Sequence, residues 1–540
     1  MSNISSQFSQ LSTNNTDDDI YYEPPAKLKK NENVCGTMLA SALDRCGISD
    51  RQAALILNAA SVDRGAQDAS TTKIRSCLRR KRKRVRDEIK TNVEDLSFDP
   101  VTVHWDGKTL KRSRDNCKVE ILPVVVSSGS DEQLLSCPFL AHGTGEEIGT
   151  AVQQSLDLWK IKNIKSMCYD TTSTNTGIHS GACKILEEKL ETQLLNASCR
   201  HHVAELVLGV AFEHYFPSIS KSPDITFLKN FRETWTDIDK EKFHTVSSIR
   251  IKSLKVIITQ KKDDISQEIN RLLSLGKQMR SDYDELLQLA STFLGTKSPK
   301  QFKMPGGNHR ARWMSKAIYT LKMCLFRKQL SLTDEQQANL QKMSVFIVFL
   351  YIPYWYNTRL PCEAATSDLK LLKNLEDYKK VDFTLSTKVI DKFSNHLWYL
   401  SKELVCISLF SDKVDNSEKK KMIKNLKKRD DSERELKAKI NINNIKKIGL
   451  ADFFTEKSMH FFTITGITPS FLNENPERWA QNTDFINGKN FCLKLQVVND
   501  AAERAVALGT RFFDKLTQDK KQWQKMLLNV FKDLKSHKLN

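Results

Sequence analysis

Between Asp99 and Phe216 the spacing of apolar residues changes period several times, and this alternation limits the architecture more than any other feature. DPVTVHWD is β-branched and extended, KVEILPVVVSS is a second strand candidate, and EQLLSCPFLA a third. GEEIGTAVQQSLDLWK then puts Ile148, Val152, Leu156 and Trp159 on one helical stripe. KSMCYD reads as a fourth strand, HSGACKILEEKLE as a helix, QLLNASC as a fifth strand and HHVAELVLGVAF as a further helix. Three hairpin-compatible strands followed by βαβ units predict an α/β fold, a mixed sheet with helices on its faces.

Beyond about Pro217 the pattern changes to long helical segments with few Gly or Pro. ISQEINRLLSLGKQMRSDYDELLQLAS, RWMSKAIYTLKMCLFRKQL and STKVIDKFSNHLWYLSKELVCISLF each read as a helix, and a lysine-rich stretch at Glu418–Ile440 as an exposed helix or loop. MSVFIVFLYIPYWY at Met343–Tyr356 is shorter than the ~20 residues that span a bilayer and contains Pro353, so it reads as a buried helix. Near the end, VVNDAAERAVALGTRFFDKL predicts an amphipathic helix with Asn499 as its N-cap.

The chain has 540 residues, enough for three or four domains and a core that needs no disulfides. Residues 1–33 are rich in Ser, Asn, Thr and Asp, without an apolar period or a signal-peptide core, and read as a disordered tail of a protein that is not secreted. The 12 cysteines include no CxxC pair, so neither a zinc ribbon nor a redox motif is visible, and a reduced compartment fits. In 34–98, TMLASALDRC and SDRQAALILNAA form two short helical patterns broken at Gly47, the second with Ser49 as N-cap and Gln52 three residues on. A helix-turn-helix and a plain helical hairpin both satisfy that pattern.

Charge points to a polyanion. Lys and Arg number 84 against 65 Asp and Glu, a net +19. Lys73–Lys90 alone carries ten cations and two acids, with Arg79, Arg80, Lys81, Arg82, Lys83 and Arg84 uninterrupted. Such a block is a nuclear-import signal, a phosphate-gripping arm or a solvated helix face, and its density favours the first two.

Two aspartates stand at strand ends, Asp106 in VTVHWDGKTL and Asp170 in KSMCYDTTSTNTG. In a sheet of strand order 3-2-1-4-5 the first and fourth strands are neighbours, and the two carboxylates converge. Close carboxylates repel unless a cation lies between them, and hard oxygen ligands suit Mg²⁺ or Mn²⁺. Two such ions ~4 Å apart clamp the attacking and leaving oxygens of a phosphodiester, which requires a third carboxylate. Asp500 and Glu503 both lie near the C-terminal end of the chain, and spacing alone does not choose between them.

These pieces resemble, in order, the DDE transposases with an RNase H-like core, most closely the hAT superfamily. Asp106 and Asp170 take the places of the first two catalytic acids. Cys199-Arg200-His201-His202 fits the Cys-x-x-His element, with Cys199 and His202 near the site in a structural role, or with His201 or His202 assisting at the metal. Arg312-Trp313-Met314-Ser315 is similar to the Arg-Trp-x-Ser motif of the helical insertion, and Ala502-Glu503-Arg504 to the Glu-Arg of the last catalytic helix, which favours Glu503 as third acid. The resemblance covers roughly 99–516. It implies a core in two parts, 99–216 and 491–540, split by an all-α insertion at 217–490 and preceded by a helical, basic DNA-binding or import module at 34–98. It further implies two Mg²⁺ (or Mn²⁺) ions held by Asp106, Asp170 and Glu503. The implied activity is hydrolysis of one DNA strand followed by in-line attack of the freed 3′-hydroxyl, with hairpin formation on flanking DNA. The partners are transposon ends, target DNA and further copies of the chain, in the nucleus and away from membranes.

The chain departs from that pattern in two places. It has no paired Cys–His spacing before residue 99, where the superfamily carries a zinc finger, and the usual Ser-Glu-Arg-x-Phe-Ser reads Ala-Glu-Arg-Ala-Val-Ala. Other readings stand beside the resemblance. An Asp at a strand end also makes Asx turns and helix caps. Trp313, among Lys303, Arg310, Arg312 and Lys316, stacks on an extruded base or packs in a core with Met314, Ala317, Ile318 and Leu321. The whole chain reads alternatively as a domesticated, catalytically silent nuclear DNA-binding protein, or as a structure-specific nuclease using the same acids.

Overall fold

The computed structural model describes residues 36, 39–40, 43, 48–65, 70–94, 99–111, 118–217, 225–274, 281–306, 314–357, 359–501 and 505. The expected disordered tail at 1–33 lies outside the described residues. The chain divides into two compact units, Met1–Asp87 and Glu88–Asn540.

In the first unit, Ser49 caps the helix Asp50–Val62 through a reciprocal capping box with Gln52. That satisfies two of the amide donors a helix start leaves open. A second helix, Thr71–Glu94, begins in this unit. Ala40, Leu43, Ala53, Ala54 and Leu78 make its small apolar core.

The second unit contains a five-stranded mixed sheet. Its strands are β1 (Val101–Trp105), β4 (Val124–Ser128), β5 (Asp131–Ser136), β7 (Ile164–Cys168) and β8 (Leu195–Asn196), ordered β5-β4-β1-β7-β8. β4 is antiparallel to β1 and β5, whereas β7 is parallel to β1 and β8. The helices Gly145–Leu158 and Ala182–Lys189 cover one face, and of the predicted stripe Ile148, Val152 and Leu156 are buried there with Val101, Val103, Trp105, Met167 and Tyr169, while Trp159 is the C-cap and packs half-buried against them.

Two segments read as single strands are each two strands. KVEILPVVVSS divides into β3 (Lys118–Ile121) and β4, and EQLLSCPFLA into β5 and β6 (Phe139–Leu140). The breaks fall at Pro123 and Pro138, which lack the amide donor a ladder needs. Leu122 N–H reaches Pro138 O at 2.8 Å across the break. Beyond it, β3 pairs with β6 and with the unforeseen β2 (Lys108–Lys111) in a separate three-stranded sheet.

The remainder of the unit is helical and shares a larger apolar core with the helix Arg200–Tyr215. MSVFIVFLYIPYWY is buried as expected, although as a helix Asp334–Phe346, a π-turn at Ile347–Tyr351 and a helix Ile352–Asn357. STKVIDKFSNHLWYLSKELVCISLF is not one helix. Phe383–Ser394 is α-helical, and the 3-10 turns Trp398–Leu400 and Leu404–Phe410 follow. Polar ties join this region to the sheet. A buried ion pair links Arg200 to Asp368 at 2.6 Å, Tyr399 OH donates to Ser198 O at 2.8 Å, and Arg434 bridges Glu187 and Glu403 at 3.0 and 2.6 Å. No helix of the described residues is long and apolar enough to cross a membrane.

Candidate functional site

β1 and β7 run parallel and pair His104 with Cys168, so two residues further on Asp106 stands opposite Asp170 at the carboxyl ends of both strands. Side chains alternate across a strand. Trp105 and Tyr169 therefore enter the apolar core, and the acids leave on the opposite face, that of Thr102, His104, Ser166 and Cys168.

Asp170 is held by the loop that follows it. Its Oδ1 accepts from Thr172 N–H at 3.0 Å, Thr172 Oγ1 at 2.6 Å and Asn175 Nδ2 at 2.6 Å. This is the Asx turn weighed from sequence, and it leaves the other carboxylate oxygen outside those three bonds. Asn175 Oδ1 in turn accepts from the Trp105 indole at 2.9 Å. The loop is pressed against the start of the helix Gly145–Leu158. A Cβ on Gly145 would stand 2.1 Å from Ser180 O, so only glycine fits there.

His202 completes the cluster. Cys199 is the N-cap of the helix Arg200–Tyr215, and its N–H donates to Tyr169 O at 2.8 Å, next to Asp170. One carboxylate oxygen of Asp106, one of Asp170 and a ring nitrogen of His202 lie within 4.8 Å of one another, all three residues half-buried. The Cys-x-x-His spacing, almost one helical turn, carries that signal, and His202 lies beside the two acids, where assistance at the metal site, and not only a structural role, would put it. Cys199 does have such contacts. Its thiol accepts from Asn499 N–H at 3.0 Å, and burial pushes its pKa up to about 12.

Burial pushes the pKa of His202 down, against the opposing pull of Asp170 and Asp500. The ring is thus neutral at neutral pH and has a lone pair to offer a metal. Burial also lowers His201, which stacks on Trp355 at 3.9 Å and lies 3.7 Å from Asp500 Oδ1. Asp500 therefore borders the cluster without being one of its three members. Two adjacent carboxylates and a neutral imidazole form a donor set that fits a divalent cation.

Glu503, Arg312 and Trp313 lie outside the described residues. The neighbouring Met314 is buried in a left-handed conformation, φ 58°. Its N–H donates to Glu205 Oε1 at 2.8 Å, on the helix that carries His202. In the first unit, Arg79, Arg80, Lys83 and Arg84 are exposed and Lys81 is half-buried. Arg82 is turned inward, with Nη1 2.5 Å from Asp50 Oδ1 and Nη2 donating to Ile48 O at 2.7 Å.

Compared with known proteins, the chain matches no family model and none of the curated proteins.

Proposed function

We propose that the chain is a metal-dependent DNA strand-cleaving and strand-transferring enzyme with an RNase H-like core, similar to the DDE transposases of the hAT superfamily. The observation that carries this reading is the convergence of Asp106 and Asp170, from adjacent parallel strands, with His202 in one cluster. The sheet order with one antiparallel and one parallel neighbour of β1 supports it. Asp106, Asp170 and His202 would hold the ion, and Glu503 completes the set in this reading. A bound divalent ion supplies positive charge to a scissile phosphate. The protein keeps its ligands oriented, Asp170 through Thr172 and Asn175, and keeps His202 unprotonated through burial. The basic helix Thr71–Glu94 offers Arg79, Arg80, Lys83 and Arg84 to backbone phosphates of DNA in the nucleus.

The test is nicking of duplex DNA with Mn²⁺ or Mg²⁺ by the full chain. Wild type is expected to nick, and Asp106→Asn and Asp170→Asn to lose nicking while binding DNA as well or better. A second reading, the silent DNA-binding protein, draws on the Asx turn, which gives Asp170 a purely structural use. Wild type that binds DNA and never cleaves it would establish that reading instead.

A further inference from the structure

Asn499 belongs to no motif that carries chemistry, yet it is fully buried and bonded to two distant parts of the chain besides its own turn. Its Nδ2 donates to Trp105 O at 2.7 Å, the carbonyl of the peptide group whose N–H belongs to Asp106. Its backbone N–H donates to Cys199 Sγ at 3.0 Å, at the cap of the helix that carries His202. Its Oδ1 accepts from Ala501 N–H at 3.1 Å, closing a turn around Asp500. A carbonyl and an N–H as partners admit only one orientation of the amide.

A cap requires only the last of these bonds, and capping residues usually sit at the surface. The Nδ2 bond does something else. The last β1–β7 register pair is His104 with Cys168, so Trp105 O lies past the end of that ladder. Asn499 takes up this carbonyl and so fixes the plane of the Trp105–Asp106 peptide, from which the Asp106 side chain departs. Through Cys199 the same residue holds the start of the His202 helix. Arg200 N–H donating to Val497 O at 3.0 Å fastens the segment at a second point.

We infer that Asn499 is a positioning residue that sets Asp106 against His202, so that one buried amide governs how well the cluster binds a divalent cation. This rests on the metal-site reading above. Groups that hydrogen-bond a metal ligand typically change metal affinity 10–100-fold when removed, and Asn499 acts on such a ligand through the peptide that carries Asp106.

The experiment is Mn²⁺ titration of the full chain, followed by electron paramagnetic resonance, with circular dichroism and thermal melting as folding controls. Asn499→Ser keeps a capping oxygen for Ala501 but cannot reach Trp105 O. It is expected to stay folded and to weaken Mn²⁺ binding at least about 10-fold. Gln496→Ala is the control, because it removes a bond of the same segment to Gly129 O, 2.6 Å, away from the acids, and should leave Mn²⁺ affinity unchanged. If Asn499→Ser does not fold, Cys199→Ala tests the other arm and is expected to weaken Mn²⁺ binding several-fold. A folded variant that binds Mn²⁺ like wild type overturns the role of Asn499 and leaves the metal site standing. Wild type that binds no Mn²⁺ overturns the metal reading itself, and this inference with it.

Discussion

The Trp105 indole and the Asp170 carboxylate, which follow from different strands, are joined through one side chain: Trp105 Nε1 donates to Asn175 Oδ1 at 2.9 Å, and Asn175 Nδ2 donates to Asp170 Oδ1 at 2.6 Å. Trp105 also stacks on Tyr169, with centroids 5.4 Å apart and planes at 20°. Each of these aromatics immediately precedes an acid, so the apolar core beneath the sheet and the polar cluster above it are mechanically coupled. Trp105→Phe retains the stack and removes the donor, leaving a buried acceptor unmatched. Denaturant unfolding should show a loss of about 1–3 kcal/mol. Trp105→Ala, which also empties the core, should lose about 3–5 kcal/mol. Equal stability of Trp105→Phe and wild type would mean that the Asn175 link contributes nothing.

Glu205 lies three residues after His202 and is half-buried. Its Oε1 accepts from Met314 N–H at 2.8 Å and Tyr351 OH at 2.7 Å. Burial pushes its pKa above the ordinary carboxylate range. The folded protein therefore binds this proton more tightly than the unfolded chain, and wild-type stability falls as pH rises through the window above the usual carboxylate value. Glu205→Gln keeps the accepting oxygen and cannot ionise. Its melting temperature should match or exceed that of wild type at pH 7, with the advantage shrinking as pH falls below the carboxylate range. Glu205→Leu strands two buried donors at about 1–3 kcal/mol each. A Gln variant less stable than wild type at pH 7 would contradict the assignment.

Local rules were the legible part of this chain. The Ser49–Gln52 capping box and the Ile148–Val152–Leu156 stripe depend on residues three or four apart, and both appear as read. The paired aspartates were legible because strand ends repeat a simple grammar, an apolar run closed by an acid. The second sheet was not, because Pro123 and Pro138 sit inside apolar runs, and hydropathy does not register a missing amide donor. Nor was the reach of Asn499 to Trp105 O, across 394 positions of sequence. As a cap its Oδ1 was foreseeable from the neighbours, whereas the partner of its Nδ2 is set by tertiary packing alone. Arg82 illustrates the same limit, since nothing in a run of six cations marks the one that turns inward.

His396 gives the pH dependence a sign. Burial, with Lys392 and Lys437 nearby, pushes its imidazole down to about 4 from an ordinary value of 6.5. Between these two values the unfolded chain binds a proton that the folded chain does not, so stability falls as pH drops through the window and is fully present above it. His201 and His202, also lowered by burial, add slope of the same sign. The urea midpoint should decline from pH 7 toward pH 4.5, and His396→Gln should flatten that decline in part. An unchanged slope in the variant would show that His396 titrates normally.

The basic helix Thr71–Glu94 carries one inward-turned cation, Arg82, among exposed ones. Arg82 is 6% exposed and paired with Asp50 and Ile48 O, so Arg82→Ala breaks a part-buried, charge-assisted interaction. It should destabilise the first unit, seen as earlier melting or faster proteolysis in that unit. Arg79, Arg80, Lys83 and Arg84 are exposed, and replacing all four by Gln should lower the melting temperature less than Arg82→Ala does. The change should appear in DNA binding. If the four grip phosphates, the slope of log K against log salt falls by ~0.9 for each phosphate no longer neutralised, and affinity drops with little dependence on DNA sequence. A tagged quadruple variant should also shift toward the cytoplasm if the block directs nuclear import. Unchanged salt slope and unchanged distribution would leave the exposed face of this helix as solvated surface.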